Sequence, residues 1–446
     1  MTDTIYALAT AAGQAAVAVV RVSGPQAGPT LRALSRRDLP EPRYAAVRRM
    51  YAGDGELIDR ALVLWMPAPS SFTGEDCLEL QVHGGTAVLD GLGEALRARG
   101  LRPAQPGEFS RRAFANGKLD LLQAEAISDL VEAQTAAQRR QALAQMAGDI
   151  GQRYAEWRSM LIEALAYIEA ENDFPDEDLP GDLAERARPA MDKVKGDLCM
   201  ALNTAARGRA VREGYRVALI GAPNAGKSSL FNALIGRDAA IVSAQPGTTR
   251  DVVEAQLVVA GHRVTLADTA GIRDVSEEIE AEGVRRAKAW AEAADLRLLV
   301  VEPKTEAAAE FWSLVRPGDI VVLSKADLAS TRSNALRVEA AQRGANTVGS
   351  SVLTQDGVAE VHGRLDERVT SELASTEPPF ATRLRHQEAL SDAVQALERG
   401  LGALSTGPER AAEDVRQAAR ALESIVGDVD REAVLDRVFA SFCIGK

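Results

Sequence analysis

Tyr215-Arg216-Val217-Ala218-Leu219-Ile220, then Gly221 to Ser229 (GAPNAGKSS), then Leu230-Phe231-Asn232-Ala233-Leu234 decide the fold. An apolar strand enters a glycine loop, and a helical pattern leaves it. The spacing is G-x-x-x-x-G-K-[ST], filled by Gly221, Gly226, Lys227 and Ser228. In that strand–loop–helix setting the string predicts a cradle for the β- and γ-phosphates of a nucleotide. Glycines let backbone N–H groups curl around an anion, the helix N-terminus adds partial positive charge, and Lys227 supplies a full one. Asn224, Ala225, Gly226 and Ser229 complete the expected nucleotide contacts, and the Ser228 hydroxyl is expected to hold Mg²⁺. A chance glycine-rich turn explains the spacing but not its context.

Further phosphate machinery follows in order. Asp268-Thr269-Ala270-Gly271 ends the apolar run Val264 to Ala267, so the aspartate is expected at a strand's C-terminal end, within reach of Mg²⁺. Between the two motifs, Pro246-Gly247-Thr248-Thr249-Arg250-Asp251 suits a switch loop, with Thr249 closing on Mg²⁺ when a γ-phosphate is present. Ser324-Lys325-Ala326-Asp327 follows a third apolar strand, Ile320 to Leu323. A carboxylate at Asp327 accepts both N–H donors of a guanine edge, a pair that adenine does not offer. The base is therefore read as guanine and the module as a GTPase. Two features depart from the usual pattern: Ser324 stands where Asn or Thr is customary, and Ser351-Val352-Leu353 is a weak match to the second base loop.

One expected group is missing. GTPases of the Ras type use a glutamine just past Asp-x-x-Gly to orient the attacking water; here that position is Ile272. The segment that follows, Arg273 to Glu282, holds Glu277, Glu278, Glu280 and Glu282. Any of these carboxylates can orient water, and spacing alone does not choose among them.

The 446 residues predict two to four domains, and 46% hydrophobic content is enough for sizeable cores. Net charge is −12, while residues 1–117 are balanced at 13 basic and 12 acidic side chains. An acidic chain is a poor solitary binder of nucleic acid, so any RNA needs a local patch or a partner. Cys77, Cys199 and Cys443 lie far apart and the four histidines are scattered, which gives neither a disulfide frame nor zinc-ligand spacing. With no signal peptide and no membrane-length apolar run, the expected location is cytoplasmic, away from membranes.

The fold class expected is multidomain α/β. Residues 1–117 read as α+β, with strands at Ala16 to Val22, Ala61 to Met66 and Cys77 to Val82. Residues 118–212 are helical and alanine-rich, with apolar faces at Ile127, Leu130 and Val131, at Leu143, Met146 and Ile150, and at Leu161, Leu165 and Ile168. Asp173 to Asp178 reads as a solvated break. The GTPase module spans 213–372, a mostly parallel sheet with flanking helices. Helices resume over 373–446, with Leu390, Val394 and Leu397, then Val415, Leu422 and Ile425. The simplest geometry is one helical domain built from both flanks with the GTPase inserted into it. The end, Phe442-Cys443-Ile444-Gly445-Lys446, is a poor prenylation signal because Gly is not aliphatic and Lys is an atypical last residue. It is expected either to be buried or to reach a site, with Cys443 as a candidate thiol.

Taken together, these motifs resemble the MnmE (TrmE) family of tRNA-modification GTPases, within the TrmE-Era-EngA-YihA-Septin-like GTPase superfamily. The resemblance runs along essentially the whole chain. It rests on Gly13 through Gly24, Ser71-Phe72-Thr73-Gly74-Glu75-Asp76, His83-Gly84-Gly85, Pro106-Gly107-Glu108-Phe109-Ser110 and Lys118-Leu119-Asp120-Leu121, on the GTP motifs, and on the Phe-Cys-Ile-Gly-Lys terminus. It implies an N-terminal folate-binding, dimer-forming domain, a helical domain and an inserted Ras-like G domain. It further implies that a homodimer, in a heterotetramer with the FAD-dependent partner MnmG, adds an aminomethyl or carboxymethylaminomethyl group to the wobble uridine of certain tRNAs. The carbon would come from a reduced folate (5-formyl- or methylene-tetrahydrofolate), and the reaction would need GTP hydrolysis. Matching positions put Arg21, Glu79, Lys118 and Lys446 at the folate, with Glu75 as an alternative to Glu79. They put K⁺ at Asn224, Ser243, Gln245 and Thr248, line the nucleotide with Ser243-Ala244-Gln245-Pro246-Gly247-Thr248-Thr249, and give Glu280 the water-positioning role.

Two other classes compete with this reading. A ribosome-assembly or translation-factor GTPase shares the G motifs but needs an RNA-binding appendage, and no basic domain is visible. A stand-alone folate-dependent aminomethyltransferase explains residues 1–117 and makes the G domain merely regulatory.

Overall fold

The computed structural model describes residues 3–173, 183–236, 253–268, 288–304, 309–328, 332–354, 356–375, 378–427, 432–440, 442 and 445. The chain separates into two compact units. One comprises Met1–Val131, Gln145–Val194 and Asp392–Lys446; the other comprises Glu132–Ala144 and Lys195–Ser391.

In the first unit, strands β1 (Ile5–Leu8), β2 (Ala15–Ser23), β3 (Ala46–Tyr51), β4 (Leu57–Met66), β5 (Cys77–Gly84) and β6 (Arg102–Pro103) form one sheet in the order β3-β4-β5-β2-β1-β6. All pairings are antiparallel except β1 with β6. Side chains alternate across such a sheet. Val20, Val22, Leu78, Leu80 and Val82 therefore face a core closed by Leu31, Leu34, Leu92 and Leu96 from the helices Ala27–Ser35 and Thr86–Arg97. The intervening residues Arg21, Glu79 and Gln81 are only half-buried on the opposite face.

The helical part of this unit joins residues from far apart in the chain. Helix Asp149–Asp173 packs along Pro408–Val426. Leu161 and Ile168 from the first helix, and Val415, Leu422 and Ile425 from the second, are all fully buried. Arg158 bonds Glu423 at 2.7 Å, and Arg416 pairs with Glu169. Segments before and after the glycine loop thus build one helical body, and the nucleotide-type module is an insertion.

Two expected helix faces differ at one residue each: Val131 and Leu143 are 56% and 43% exposed, while Ile150 is buried and Ile127, Leu130 and Met146 are half-buried. The buried residues nearby include Leu121, Leu122, Ala124 and Ala126, then Ala137, Gln138, Ala142 and Gln145. Close approach here depends on small alanines and on glutamine amides that donate to backbone carbonyls. Gln145 Nε2 reaches Leu122 O at 2.8 Å, and Gln138 Nε2 reaches Arg212 O at 2.9 Å. Periodicity of large aliphatic residues does not detect such a face.

In the second unit, β7 (Tyr215–Ile220), β8 (Val253–Val259), β9 (His262–Asp268), β10 (Leu296–Val301), β11 (Ile320–Ser324) and β12 (Asn346–Ser350) are ordered β12-β11-β10-β7-β9-β8. Only the edge strand β8 runs antiparallel. The parallel strands β7, β10 and β11 are buried on both faces, which explains their unbroken apolar sequences. Leu230, Phe231 and Leu234 of helix Lys227–Ile235 cover one face together with Val358, Val361 and Leu365 of helix Val358–Leu373. Trp312, Leu336 and Ala340 cover the other. From β7 the chain steps to β9 on one side and then crosses to β10 on the other. That reversal opens a crevice at the strand C-terminal ends, where ligands of open α/β sheets bind. Among the described residues no helix is long and apolar enough to cross a membrane.

Candidate functional site

The loop after β7 is shaped by backbone constraints. Gly221 has φ +141°, and a Cβ there would strike Val300 O of β10. Asn224 (φ 60°) and Gly226 (φ 99°) both adopt the left-handed region, the backbone pattern that turns successive N–H groups toward one point. Gly226 is the N-cap of helix Lys227–Ile235, so the positive end of the helix opens into the same concavity. Ala225 is buried, while Asn224, Ser228 and Ser229 are exposed.

Two functional side chains meet here. Lys227, only 5% exposed, donates from Nζ to Gly221 O and Ala222 O at 2.7 Å each. Burial pushes its pKa down, and the Asp268 carboxylate only partly opposes this. A buried ammonium held by two carbonyls is poised for an anion that would restore its charge balance. Ser228 Oγ donates to Asp268 Oδ2 at 2.6 Å, with Asp268 buried at the end of β9. Paired hydroxyl and carboxylate oxygens beside a phosphate cradle fit a hard divalent cation such as Mg²⁺. Among the described residues no cluster of three or more His, Cys, Asp and Glu forms a separate metal site.

The base-reading stretch leaves the neighbouring strand end. Ser324 is buried, donates to Val301 O at 3.3 Å, and lies against Gly226, whose ideal Cβ would stand 3.5 Å from Ser324 Cβ. Lys325 has φ 53°, and its Nζ pairs with Glu302 Oε2 at 2.6 Å. Ala326 N–H donates to Ser350 O at 3.2 Å, which sets the loop beside Ser351-Val352-Leu353; Asp327 is exposed. Ser351 is buried and Leu353 is 89% exposed.

A second polar cluster lies in the first unit. Arg21 and Glu79 are directly opposite on β2 and β5, bonded at 3.0 and 2.9 Å to one carboxylate oxygen. The Arg21 guanidinium sits 5.3 Å from the Phe72 ring centre and 5.9 Å from that of Phe109. Glu75 is occupied elsewhere: it accepts from Ser23 Oγ at 2.7 Å and from buried Arg112 at 3.0 Å. Arg112 also bonds Glu108 at 3.1 Å and Asp3 at 2.9 Å. Lys118 is exposed, with its stem 3.2 Å from an ideal Cβ on Gly74, and Asn116 Nδ2 donates to Thr73 O at 2.7 Å. Phe442 is buried against Leu121, Ala124 and Phe439, and a Cβ on Gly445 would strike Leu8 O, so Gly445 lies against the end of β1.

A family model described as the MnmE helical domain matches residues 121–443, and one described as the GTP-binding protein TrmE N-terminus matches residues 4–118. Proteins named tRNA modification GTPase MnmE align along their whole length and the whole of this chain. That of Phenylobacterium zucineum is 54% identical over 447 residues, and those of Caulobacter vibrioides and Parvibaculum lavamentivorans are 53% and 49% identical. The chain belongs to the MnmE family. Among solved structures, the G domain of the T. maritima FeoB iron transporter matches 35% of this chain and 98% of its own at 25% identity, with a TM-score of 0.25, too low to bear on the fold.

Within this MnmE-family chain, the structure brings Asn224, Ala225, Gly226, Lys227, Ser228, Ser229 and Asp268 into one cradle, with Ser324, Lys325 and Asp327 on the adjoining strand end. It joins Arg21 to Glu79. Ser243, Ala244, Gln245, Pro246, Gly247, Thr248 and Thr249, then Thr269, Ala270 and Gly271, then Glu280 and the other three glutamates, and finally Cys443 and Lys446 lie outside the described residues. Sequence reasoning missed Glu302 and Arg112. A carboxylate directly after an apolar strand is a faint signal for the first. The second leaves none, because its partners are 4 to 109 residues away.

The ionic network around Arg112 gives a pH dependence. Burial raises the Glu108 carboxyl, but the Arg102, Gln105 N–H and Arg112 bonds outweigh it and hold the group below its usual 4.5. Asp3 is likewise held below 3.8, burial being outweighed by Arg102 and Arg112. A depressed carboxyl contributes stability that is present above the unfolded-state value and is lost as pH falls toward the folded one. The protein's resistance to urea should therefore fall progressively below pH 4.5. Glu108→Gln should flatten that dependence; an unchanged slope would mean the network carries no net stability.

Proposed function

We propose that this chain is a K⁺-dependent GTPase of tRNA modification. In this reading it works with an FAD-dependent partner, MnmG, to form the 5-carboxymethylaminomethyl or aminomethyl group at the wobble uridine of certain tRNAs, drawing one carbon from a reduced folate. The observation that carries the nucleotide half is the cradle itself: Lys227 buried on the loop carbonyls beside the Ser228–Asp268 oxygen pair. The tRNA half rests on relatives of that name aligned over all of this chain at 54% identity. The proposed organisation is an N-terminal folate-binding and dimerisation domain (1–117), a helical domain from 118–212 and 373–446, and an inserted G domain (213–372), acting as a cytoplasmic homodimer.

The chain's own residues supply specific steps. Lys227 and the N–H groups of the glycine loop hold the β- and γ-phosphates, where charge accumulates as the terminal phosphoryl group leaves. Ser228 and Asp268, with Thr249, hold Mg²⁺, which offsets phosphate charge when bound. Asn224, Ser243, Gln245 and Thr248 hold K⁺. Asp327 reads the guanine edge, and Glu280 orients water for in-line attack. Arg21, Glu79, Lys118 and Lys446 bind the folate. A carboxylate reads the amide edge of a pterin, and Arg and Lys pair with a glutamate tail; the Arg21–Glu79 pair on the sheet face keeps 24% and 19% of its side chains exposed.

Three measurements test the reading. GTP turnover should need K⁺, and equal rates in Na⁺ would remove the cation site. Glu280→Ala should lower kcat by at least about 100-fold with nearly unchanged GTP affinity, whereas an equal loss in binding would deny it the water-positioning role. Single-turnover tRNA modification with the partner should stop when a non-hydrolysable GTP analogue replaces GTP. Full modification with the analogue would favour the stand-alone aminomethyltransferase, and no modification under any condition would favour a ribosome-type regulatory GTPase.

A further inference from the structure

We infer that Glu302 is a positioning residue for guanine binding, fixing Lys325 so that its aliphatic stem is set in place for one face of the purine before nucleotide arrives. The inference rests on the GTP reading above. A base whose edge meets Asp327 must lie over residues 324–328, which makes Lys325 its nearest flanking side chain. Lys325 leaves the end of β11 with a left-handed backbone (φ 53°). It reaches across to the end of β10, where Glu302 accepts from its Nζ at 2.6 Å. The lysine side chain remains 42% exposed and Glu302 only 18%, so the carboxylate is the fixed partner and the stem the accessible one.

The same two strand ends are tied a second time, one residue back, where Ser324 Oγ donates to Val301 O. A serine is shorter than the asparagine customary at that position. The Glu302–Lys325 bond supplies an anchor for the base loop that does not depend on residue 324. An unanchored lysine has rotamer freedom to lose on packing against a ligand. Holding its far end beforehand removes part of that loss, and the gain appears as affinity rather than as chemistry.

The test uses the full-length protein with GTP, GDP and IDP. Glu302→Gln should raise the KM for GTP about two- to tenfold and leave kcat within about twofold. It should weaken GDP and IDP by the same factor, because a stem under the ring does not read its edge. Glu302→Asp should recover part of the loss. Lys325→Met keeps the stem and removes the anchor point, so Glu302→Gln added to it should cause no further loss. An unchanged KM in Glu302→Gln would overturn the inference, as would a second, additive loss on top of Lys325→Met or a fall in kcat with KM unaltered. If Glu302→Gln does not fold, Lys325→Met decides alone, and wild-type GDP affinity in that variant would overturn the inference. Failure of the unsubstituted protein to bind GDP would instead remove the GTP reading itself.

Discussion

A lysine ammonium withdrawn from water is the constraint around which the second unit is arranged. Lys227 tolerates burial because its charge is met by two loop carbonyls and faces the Asp268 carboxylate. Each of these groups is delivered by a different element: the loop after β7, the first turn of the following helix, and the last residue of β9. They converge only if β7 and β9 are parallel and end at the same level, which their register provides by pairing Leu219 with Asp268. Gly221 ties the third strand to the same point, since any larger residue would collide with β10 at Val300 O. The parallel sheet and the cradle are one solution to one electrostatic problem.

Much of this was legible in the sequence because it depends on short-range rules. The strands β7, β10 and β11 are apolar without interruption since both faces are covered, and the glycine loop has its own spacing. The half-exposed sheet of the first unit showed in the alternation of Cys77 to Val82. What stayed hidden has a common cause. The Arg112 network draws Asp3, Glu75 and Glu108 together from three places, and no local pattern marks an ion pair that spans 109 residues. The alanine- and glutamine-lined faces near Val131 and Leu143 were invisible for a different reason: hydrophobic periodicity weighs large side chains, and close helix approach uses small ones.

The first unit separates structural charge from available charge. Arg112 is fully buried and its pKa is raised; burial pulls it down, but Glu75 and Glu108 more than compensate. Glu75 is thereby committed, although its position in the Ser71–Asp76 loop made it a plausible ligand group. Arg21 and Glu79 are cross-strand neighbours on the solvated sheet face, backed by Phe72 and Phe109. Breaking the Arg112 cluster would leave an uncompensated, fully buried charge, whereas Arg21 and Glu79 each keep an edge in water, at 24% and 19% exposure.

The first strand and the last helix of the sheet module are fastened to each other. Tyr215 begins β7 and Glu372 lies in the last turn of helix Val358–Leu373; the tyrosine hydroxyl donates to the carboxylate at 2.6 Å. Burial first, then the adjoining carboxylate, pushes the Tyr215 pKa far up, so the hydroxyl stays a donor at any ordinary pH. Arg368 pairs with the same glutamate. Just outside, Asp295 accepts from Arg209 on the incoming helix at 2.7 Å and from the Arg216 N–H at 2.8 Å. Separating β7 from the end of helix Val358–Leu373 would leave the buried Tyr215 hydroxyl without its acceptor.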